Sequence, residues 1–427
     1  MPGRLLSFLC GLLIAPACMV AQQTSPSTVD DLVRMGLAQN KDVLSIRERI
    51  GEAQGAIRQA GVRPPPTINA SGVTGKPLGT LGQEQYGASY SQPLETFGKR
   101  SKRMEVAGFG IGQAEAELQE RSAELAYQIR SGVAERLAEQ QKLKLLDDLA
   151  SVNQEALRLT EARVHEGDVA PLEASLLRVE INRGVVLKTS AQGRLAVAET
   201  NLRRLVGLRA DQPLPQVTPE IPGSYSLEEL KSRAVQARAD LRSALLRADQ
   251  NRAAIALAKA NAKPDVTLSA GYSRQYSLFE GLFGQTSTGA LAPINEQIDL
   301  LTFGVSIPLR TSRSGAGDVQ TATARSSGSQ LQQEYLERAI PLEVEAAYQR
   351  WTAAQASLDL LRTGVIEPST ANLTVIREAY KLGQLRLLDV LNEQRRLVDN
   401  ELAYIDAQAD ASRGWAEVER AIGGNLP

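Results

Sequence analysis

The sequence predicts a mainly α protein of two similar halves. Each half gives two strands to a membrane β-barrel and two long helices to an antiparallel coiled coil. Three observations predict this. Segments of the chain repeat at fixed offsets, period-two alternation occurs twice in each half, and long leucine-spaced, proline-poor stretches follow each strand pair.

The repeat is read by sliding the chain along itself. At an offset of 198, the segment from Leu32 lies over that from Leu230 without a gap. Leu32, Asp42, Ser45, Arg49, Ala56, Ile57, Ala60, Pro66 and Ser71 meet identical residues. At an offset of 216, Gly167 falls on Gly383, Leu172 on Leu388, Arg204 on Arg420 and Gly207 on Gly423. The order helix, strands, helix, glycine turn, helix is therefore expected twice, over 22–207 and 228–427. A proline-rich linker is expected over 208–227, with four prolines between Asp211 and Ser224.

The chain opens MPGRLLSFLCGLLIAPACMVAQQ, one arginine, an apolar run and small residues. This predicts a signal peptide over 1–21, cleaved after Ala17 or Ala21. Ala15-Pro16-Ala17-Cys18 also has the form of a lipidation site at Cys18, with Pro16 unusual there; the alternatives stay open. Cys10 and Cys18 are the only cysteines, so the exported chain is expected to rely on packing or assembly rather than disulfides. No later run is long and apolar enough for a spanning helix, which a β-barrel does not require.

Strands are expected at about 67–76 and 84–94, and again at about 265–276 and 298–309. In the second pair Val266, Leu268, Ala270 and Tyr272 alternate with Thr267, Ser269, Gly271 and Ser273. Leu301, Phe303, Val305, Ile307 and Leu309 alternate with Thr302, Gly304 and Ser306. A soluble hairpin is one reading, but a lone hairpin is marginal in water. Four strands cannot close a barrel, whereas several chains together can, with apolar faces outward and small polar faces around a wet lumen. The segment from Ser277 to Gln297 reads as a loop. Its Leu278, Phe279, Leu282 and Phe283 sit beyond the strands, either as an interfacial anchor or as loop packing.

Between the first strand pair and the helices lies SQPLETFGKR. Pro93 is expected to end strand pairing and Gly98 to permit a turn. Lys99 and Arg100 then snorkel at the aqueous membrane edge or simply solvate a helix start. The helical hairpin that follows spans 99–206. Leu118, Leu125, Ile129, Val133 and Leu137 recur at sevens and fours in a proline-free run about 100 Å long if continuous. Gly108, Gly110, Gly112 and Gly132 mark bends or close packing. The second hairpin is expected over 314–422, broken near Pro341 and Pro368.

Composition excludes other classes. The 48 basic and 49 acidic residues balance, so no general attraction to nucleic acid is expected. One histidine, His165, and no cluster of nucleophile, base or metal ligands leave an enzyme poorly provisioned, and no catalytic residue, cofactor or metal site is expected. Aromatic residues, 4% of the chain, are too few for a large globular core and suit narrow helical seams.

The duplicated halves, the QPLETFGKR junction and the pair HEGDVAPLEASL and AYKLGQLRLLDVLNEQRRL resemble the TolC-like outer-membrane efflux proteins over nearly the whole mature chain. The resemblance implies a homotrimer in outer-membrane lipid of a Gram-negative bacterium, with a shared twelve-stranded barrel and a helical periplasmic tunnel. It also implies a periplasmic adaptor and an inner-membrane pump as partners. In such proteins two helix–turn–helix tips meet the adaptor. The matching residues are Gly167, Asp168, Val169 and Leu172 in the first half and Gly383, Gln384 and Leu385 in the second. Asp389 matches a position of an acidic ring at the entrance constriction. A second acidic position is Asn392 here, which implies a single, weaker ring. The expected function is passive export of small molecules, drugs or metal ions. Alternatives are a protein-secretion channel of the type I class or a non-channel periplasmic adaptor, and heat-modifiable membrane extraction would separate channel from adaptor.

Overall fold

The computed structural model describes residues 28–78, 83–218, 223, 225–309 and 315–424. The expected signal peptide and Cys18 lie outside the described residues. In order, the elements are α1 (Val29–Gln39), α2 (Lys41–Ala60), β1 (Thr67–Thr74), β2 (Gln83–Leu94), α3 (Lys99–Glu166) and α4 (Pro171–Val206) in the first half. The second half has α5 (Leu227–Ala237), α6 (Ala239–Asn261), β3 (Val266–Gln285), β4 (Leu291–Ser306), α7 (Ala316–Leu360), α8 (Glu367–Lys381) and α9 (Leu387–Ala421).

The long helix α3 is continuous from Lys99 to Glu166. Its glycines mark close approach rather than breaks. A methyl on Gly112 would lie 2.8 Å from Leu246 of α6, and one on Gly132 would touch Leu202 of α4. Along one half α3 packs between α2 and α6; along the other it packs between α4 and α9. One helix thus spans two tiers, and α7 does the same beside α6 and α9.

The core is concentrated where the tiers meet, and it too is duplicated. Leu32 of α1 is buried with Leu202 and Val206 of α4. At the repeat-equivalent positions, Leu230 of α5 is buried with Val418 and Ile422. Each such leucine or isoleucine stabilises by about 1.5–3 kcal/mol. Two compact clusters therefore anchor helices that are otherwise held only along narrow seams. Val217 of the inter-repeat segment is buried in the first cluster, and Arg136 donates to the Pro215 carbonyl at 2.8 Å.

The four strands form one antiparallel sheet in the order β1-β2-β3-β4. Three expectations are corrected. Pro93 does not end pairing: it sits opposite Thr267, and β2 continues to Leu94. β1 has already stopped opposite Ser91, so Pro93 has one strand neighbour and its missing N–H is tolerated. The segment expected as a loop from Ser277 to Gln297 is mostly strand, with β3 reaching Gln285 and β4 starting at Leu291. A bulge between Phe279 and Phe283 interrupts the alternation, which is why period two fails there. At the other end, β4 stops at Ser306, short of Leu309.

Pro341 does not break the second helical hairpin. It lies inside α7, flanked by Ile340 and buried Val344, whose burial in the second cluster offsets the lost helix hydrogen bond. The irregularity lies near Pro368: Leu361–Ile366 form a π-helical segment directly before it, and this local widening of the helix accommodates the hydrogen bond that Pro368 cannot donate.

Candidate functional site

The sheet register assigns each strand residue to a face. Leu268 pairs with Val305, Ala270 with Phe303 and Tyr272 with Leu301; Tyr90 and Ile68 continue this face across β2 and β1. These side chains have no cover in the single chain: Ile68 and Phe303 are each 79% exposed. The opposite face carries Ser71, Ser89, Ser269, Gly271, Thr302 and Gly304, with Thr67 and Ser91 hydroxyls 2.6 Å apart. A sheet apolar on one exposed face and polar on the other is arranged for lipid outside and water inside.

The apolar face has definable limits. At one end lies the strand–helix junction. Eight residues along β3 from Val266, Arg274 pairs with Asp299 at 2.7 Å, and the Tyr272 hydroxyl donates to the same carboxylate at 2.7 Å. Beside it, Lys76 pairs with Glu84, which also accepts from Tyr86. The distance between these limits is about 27 Å along the strand, or roughly 20 Å of depth at a 45° tilt.

At the junction, Lys99 turns inward instead of snorkelling. It is buried, its Nζ donating to the Lys263 carbonyl at 2.7 Å and pairing with Asp265 at 2.8 Å. Thr96 donates its backbone N–H to the same carboxylate at 3.0 Å and its hydroxyl to the Pro264 carbonyl at 2.6 Å. Burial alone would raise the Asp265 carboxyl, but the Lys99 ammonium and the Thr96 donors outweigh it and hold the carboxyl below its usual value. Arg100 reaches the Gly61 carbonyl at 2.6 Å, just past α2. The helix–strand transitions of both repeats are thereby tied into one knot. Asp265 and Thr96 carry no local sequence signal for this role, because Asp265 lies 166 positions from Lys99.

At the far end of α3, Gly167 has φ +84° and its N–H bonds the Val164 carbonyl, while Asp168 N–H bonds that of Arg163 at 2.9 Å. Gly383, φ +72°, repeats this with Tyr380 and Ala379, and Gln384 supplies the second donor at 2.9 Å. These are paired glycine caps of one geometry, and L side chains disfavour the left-handed backbone they need. Leu172 and Leu388, repeat equivalents, are both exposed, whereas Ala174 and Val390 two residues on are both buried. Val169 is half-buried and Leu385 exposed.

The two tips are brought together by contacts that the sequence did not signal. Tyr380 donates to Glu173 at 3.3 Å, Arg395 pairs with Glu180, and Gln394 donates to buried Asn153 at 2.9 Å. Leu177, Leu387 and Leu391 form a small apolar cluster beneath them. Asp389 is exposed and accepts from the Arg386 backbone N–H at 3.1 Å, which places it in the first turn of α9 as a helix-capping carboxylate. Among the described residues no helix is long and apolar enough to cross a membrane, and no group of His, Cys, Asp and Glu is arranged to hold a metal.

The sequence profile of the outer membrane efflux protein family matches residues 32–208 and 230–424, one segment in each repeat. The chain belongs to that family. It is 21% identical over 408 residues to the cobalt-zinc-cadmium resistance protein CzcC of Cupriavidus metallidurans, covering 94% of this chain and 91% of CzcC. It is 25% identical over 300 residues to the solvent efflux pump outer membrane protein SrpC of Pseudomonas putida, covering 67% of this chain and 59% of SrpC. Its fold is similar to the crystal structure of CusC, with a TM-score of 0.74 and 18% identity over 94% of this chain and 93% of CusC. The Vibrio cholerae outer membrane protein VceC superposes with a TM-score of 0.71 at 20% identity, covering 93% of this chain and 96% of VceC.

Proposed function

We propose that three copies of this chain close a twelve-stranded barrel in the outer membrane and form a passive conduit for small molecules. The observation that carries this reading is the sheet: four strands, an uncovered apolar face, a polar opposite face, and β1 and β4 as edges without a strand partner among the described residues. Closure by β4 of one copy on β1 of the next pairs the two open edges along the length of β1. The helices then extend about 100 Å from the junction into the periplasm. The tips at Gly167 and Gly383 offer exposed Leu172, Leu382, Leu385 and Leu388 to a helical periplasmic adaptor, which links the conduit to an inner-membrane pump.

The wall of the conduit bears on the substrate class. The lumen-facing strand residues are chiefly Ser, Thr, Gly and Gln, which hydrate a pore without selecting a soft metal. Small-molecule efflux, of drugs or of metal ions delivered by the pump, fits this better than a dedicated metal path. Asp389 from three copies forms a ring that favours cations.

Single-channel conductance of the purified protein in planar bilayers tests this, with wild type beside Asp389→Ala. The expected result is steady conductance with reduced cation preference in the variant. Conductance indifferent to the variant discards the ring and keeps the pore. No conductance from protein confirmed as inserted and trimeric overturns an open conduit.

A further inference from the structure

Two helices of the tier that ends in the tips carry exposed stripes of one period. On α4, Val179, Val186 and Gly193 recur at sevens; on α8, Pro368, Val375 and Leu382 do the same. All six are exposed, and Val186 and Val375 are each 68% open to solvent. Each stripe lies about half a helical turn from the side its helix uses within the chain. α4 buries Leu177, Ala191 and Ala198, while α8 buries Leu373 and turns Tyr380 to Glu173 of α4. A seven-residue apolar recurrence is what one helix of a coiled coil presents to another. Neither stripe meets such a helix among the described residues.

The two stripes also stand at one height. Lys188 with Asp147 and Arg178 with Glu161 fix α4 against α3. Gln394 on Asn153 fixes α9 against α3, and Asn400 on Ser369, at 3.1 Å, fixes α9 against α8. Followed through these pairs, Val186 stands within about one helical turn, ~5 Å, of the level of Val375, and Val179 within the same distance of Leu382. α4 runs away from the tips and α8 toward them, so the stripes are matched in the antiparallel sense.

A second copy is the partner this placement fits. Closure of β4 on β1 of the next copy sets α7, which follows β4, beside that copy's α2, which precedes β1. α8 continues α7 toward the tips, and Asn40 joins α4 to α2 end to end. The helices that face each other below the same junction are therefore α8 of one copy and α4 of the next. Lipid does not reach them, because the full length of α2, about 30 Å, separates α4 from the sheet. We propose that α8 of each copy packs on α4 of the next as an antiparallel coiled-coil seam, Val375 against Val186 and Leu382 against Val179. Leu382 lies where this seam meets the tip surface. The proposal rests on the trimeric-barrel reading above.

The test uses the full chain in outer-membrane fractions. Val186→Cys/Val375→Cys is oxidised and run without reductant beside wild type, each single variant and Val185→Cys/Val375→Cys. Val185 is exposed too, but it points about 100° away from Val186 around α4. The seam predicts covalent dimer and trimer for Val186→Cys/Val375→Cys alone, both lost with reductant. Single variants should stay uncrosslinked: like residues of two copies are roughly 30 Å apart, four helices at about 9 Å each, and a disulfide requires Cα atoms within about 7 Å. The thiol of Val186→Cys should also resist a bulky maleimide in the trimer and react once heating separates the copies. A trimer verified by native mass in which Val186→Cys/Val375→Cys gives no cross-link overturns the seam and leaves the channel. So does ready maleimide labelling of that trimer, or equal cross-linking by Val185→Cys/Val375→Cys. A monomeric mass overturns the trimeric reading itself.

Discussion

The Asn40 side chain caps two helices at once. Its amide nitrogen donates to the Leu205 carbonyl at 2.8 Å, in the last turn of α4, and its oxygen accepts from Asp42 N–H at 2.9 Å, in the first turn of α2. α2 and α4 therefore meet end to end beside continuous α3. In the second repeat Arg238 stands in the equivalent place, donating to the Ala421 carbonyl at 3.4 Å and pairing with Asp240 and Glu343. The same joint is built twice, once with a neutral cap and once with a charged one.

Asn40→Ala removes both bonds and is expected to destabilise the first joint by about 1–2 kcal/mol. Thermal unfolding in detergent, followed by helical circular dichroism, reads this as a lower midpoint. Asn40→Asp keeps the α2 cap but loses the donor to Leu205 and should fall between.

Asp265→Asn leaves buried Lys99 with a neutral partner and is expected to cost about 1.5–3 kcal/mol at neutral pH. Because the folded Asp265 carboxyl lies below its usual value, its contribution is present above the unfolded value and fades as pH falls through the folded one. The gap between wild type and variant should therefore narrow on acidification below about pH 4. Melting both proteins across an acidic pH series checks the sign.

The fold was legible where local chemistry decides it. Leu32 and Leu230, the glycines at 167 and 383, and the alternation around Leu268 and Phe303 each carry their structural role in the residue and its spacing. What was not legible depends on distant partners or on a broken period. Lys99 reads as a charge beside a turn, and only the fold brings Asp265 to it. SLFEGLFGQ reads as a loop because the bulge at Gly281 shifts the alternation. Pro341 reads as a break because the burial that tolerates it comes from α5 and α9. At the tips, the turns were visible and the bonds joining them, such as Tyr380 to Glu173, were not.

Gly167→Ala and Gly383→Ala place a Cβ in the left-handed region with no neighbour to strike, so each should cost about 1–2 kcal/mol through backbone strain alone. Gly184→Ala, half-buried in the middle of α4 with equally open space, should be neutral or slightly stabilising. If the tips dock the adaptor, both tip variants weaken adaptor binding in a pull-down while Gly184→Ala does not.

Lys142 is buried between Glu139, at 2.9 Å, and Asp406 of α9, at 2.6 Å, and Arg194 of α4 reaches the same Glu139 at 3.0 Å. Burial alone would lower the Lys142 ammonium, but the two carboxylates outweigh it and hold it above its ordinary value. Its contribution is therefore complete at neutral pH and lost only as pH rises through that raised value. Lys142→Met should cost about 1–3 kcal/mol by removing one of the two cations that Glu139 meets, Arg194 remaining as the other, and Glu139→Gln/Lys142→Met should recover part of it. A double-mutant cycle from thermal midpoints measures the coupling.

Native mass spectrometry of the full chain extracted from outer membranes is the sharpest test of the shared barrel. A single assembly of three copies is expected, surviving mild detergent and falling to one copy only on heating. A folded, membrane-extracted protein found as one copy would contradict it, because four strands with two open edges and an uncovered apolar face cannot close a channel alone.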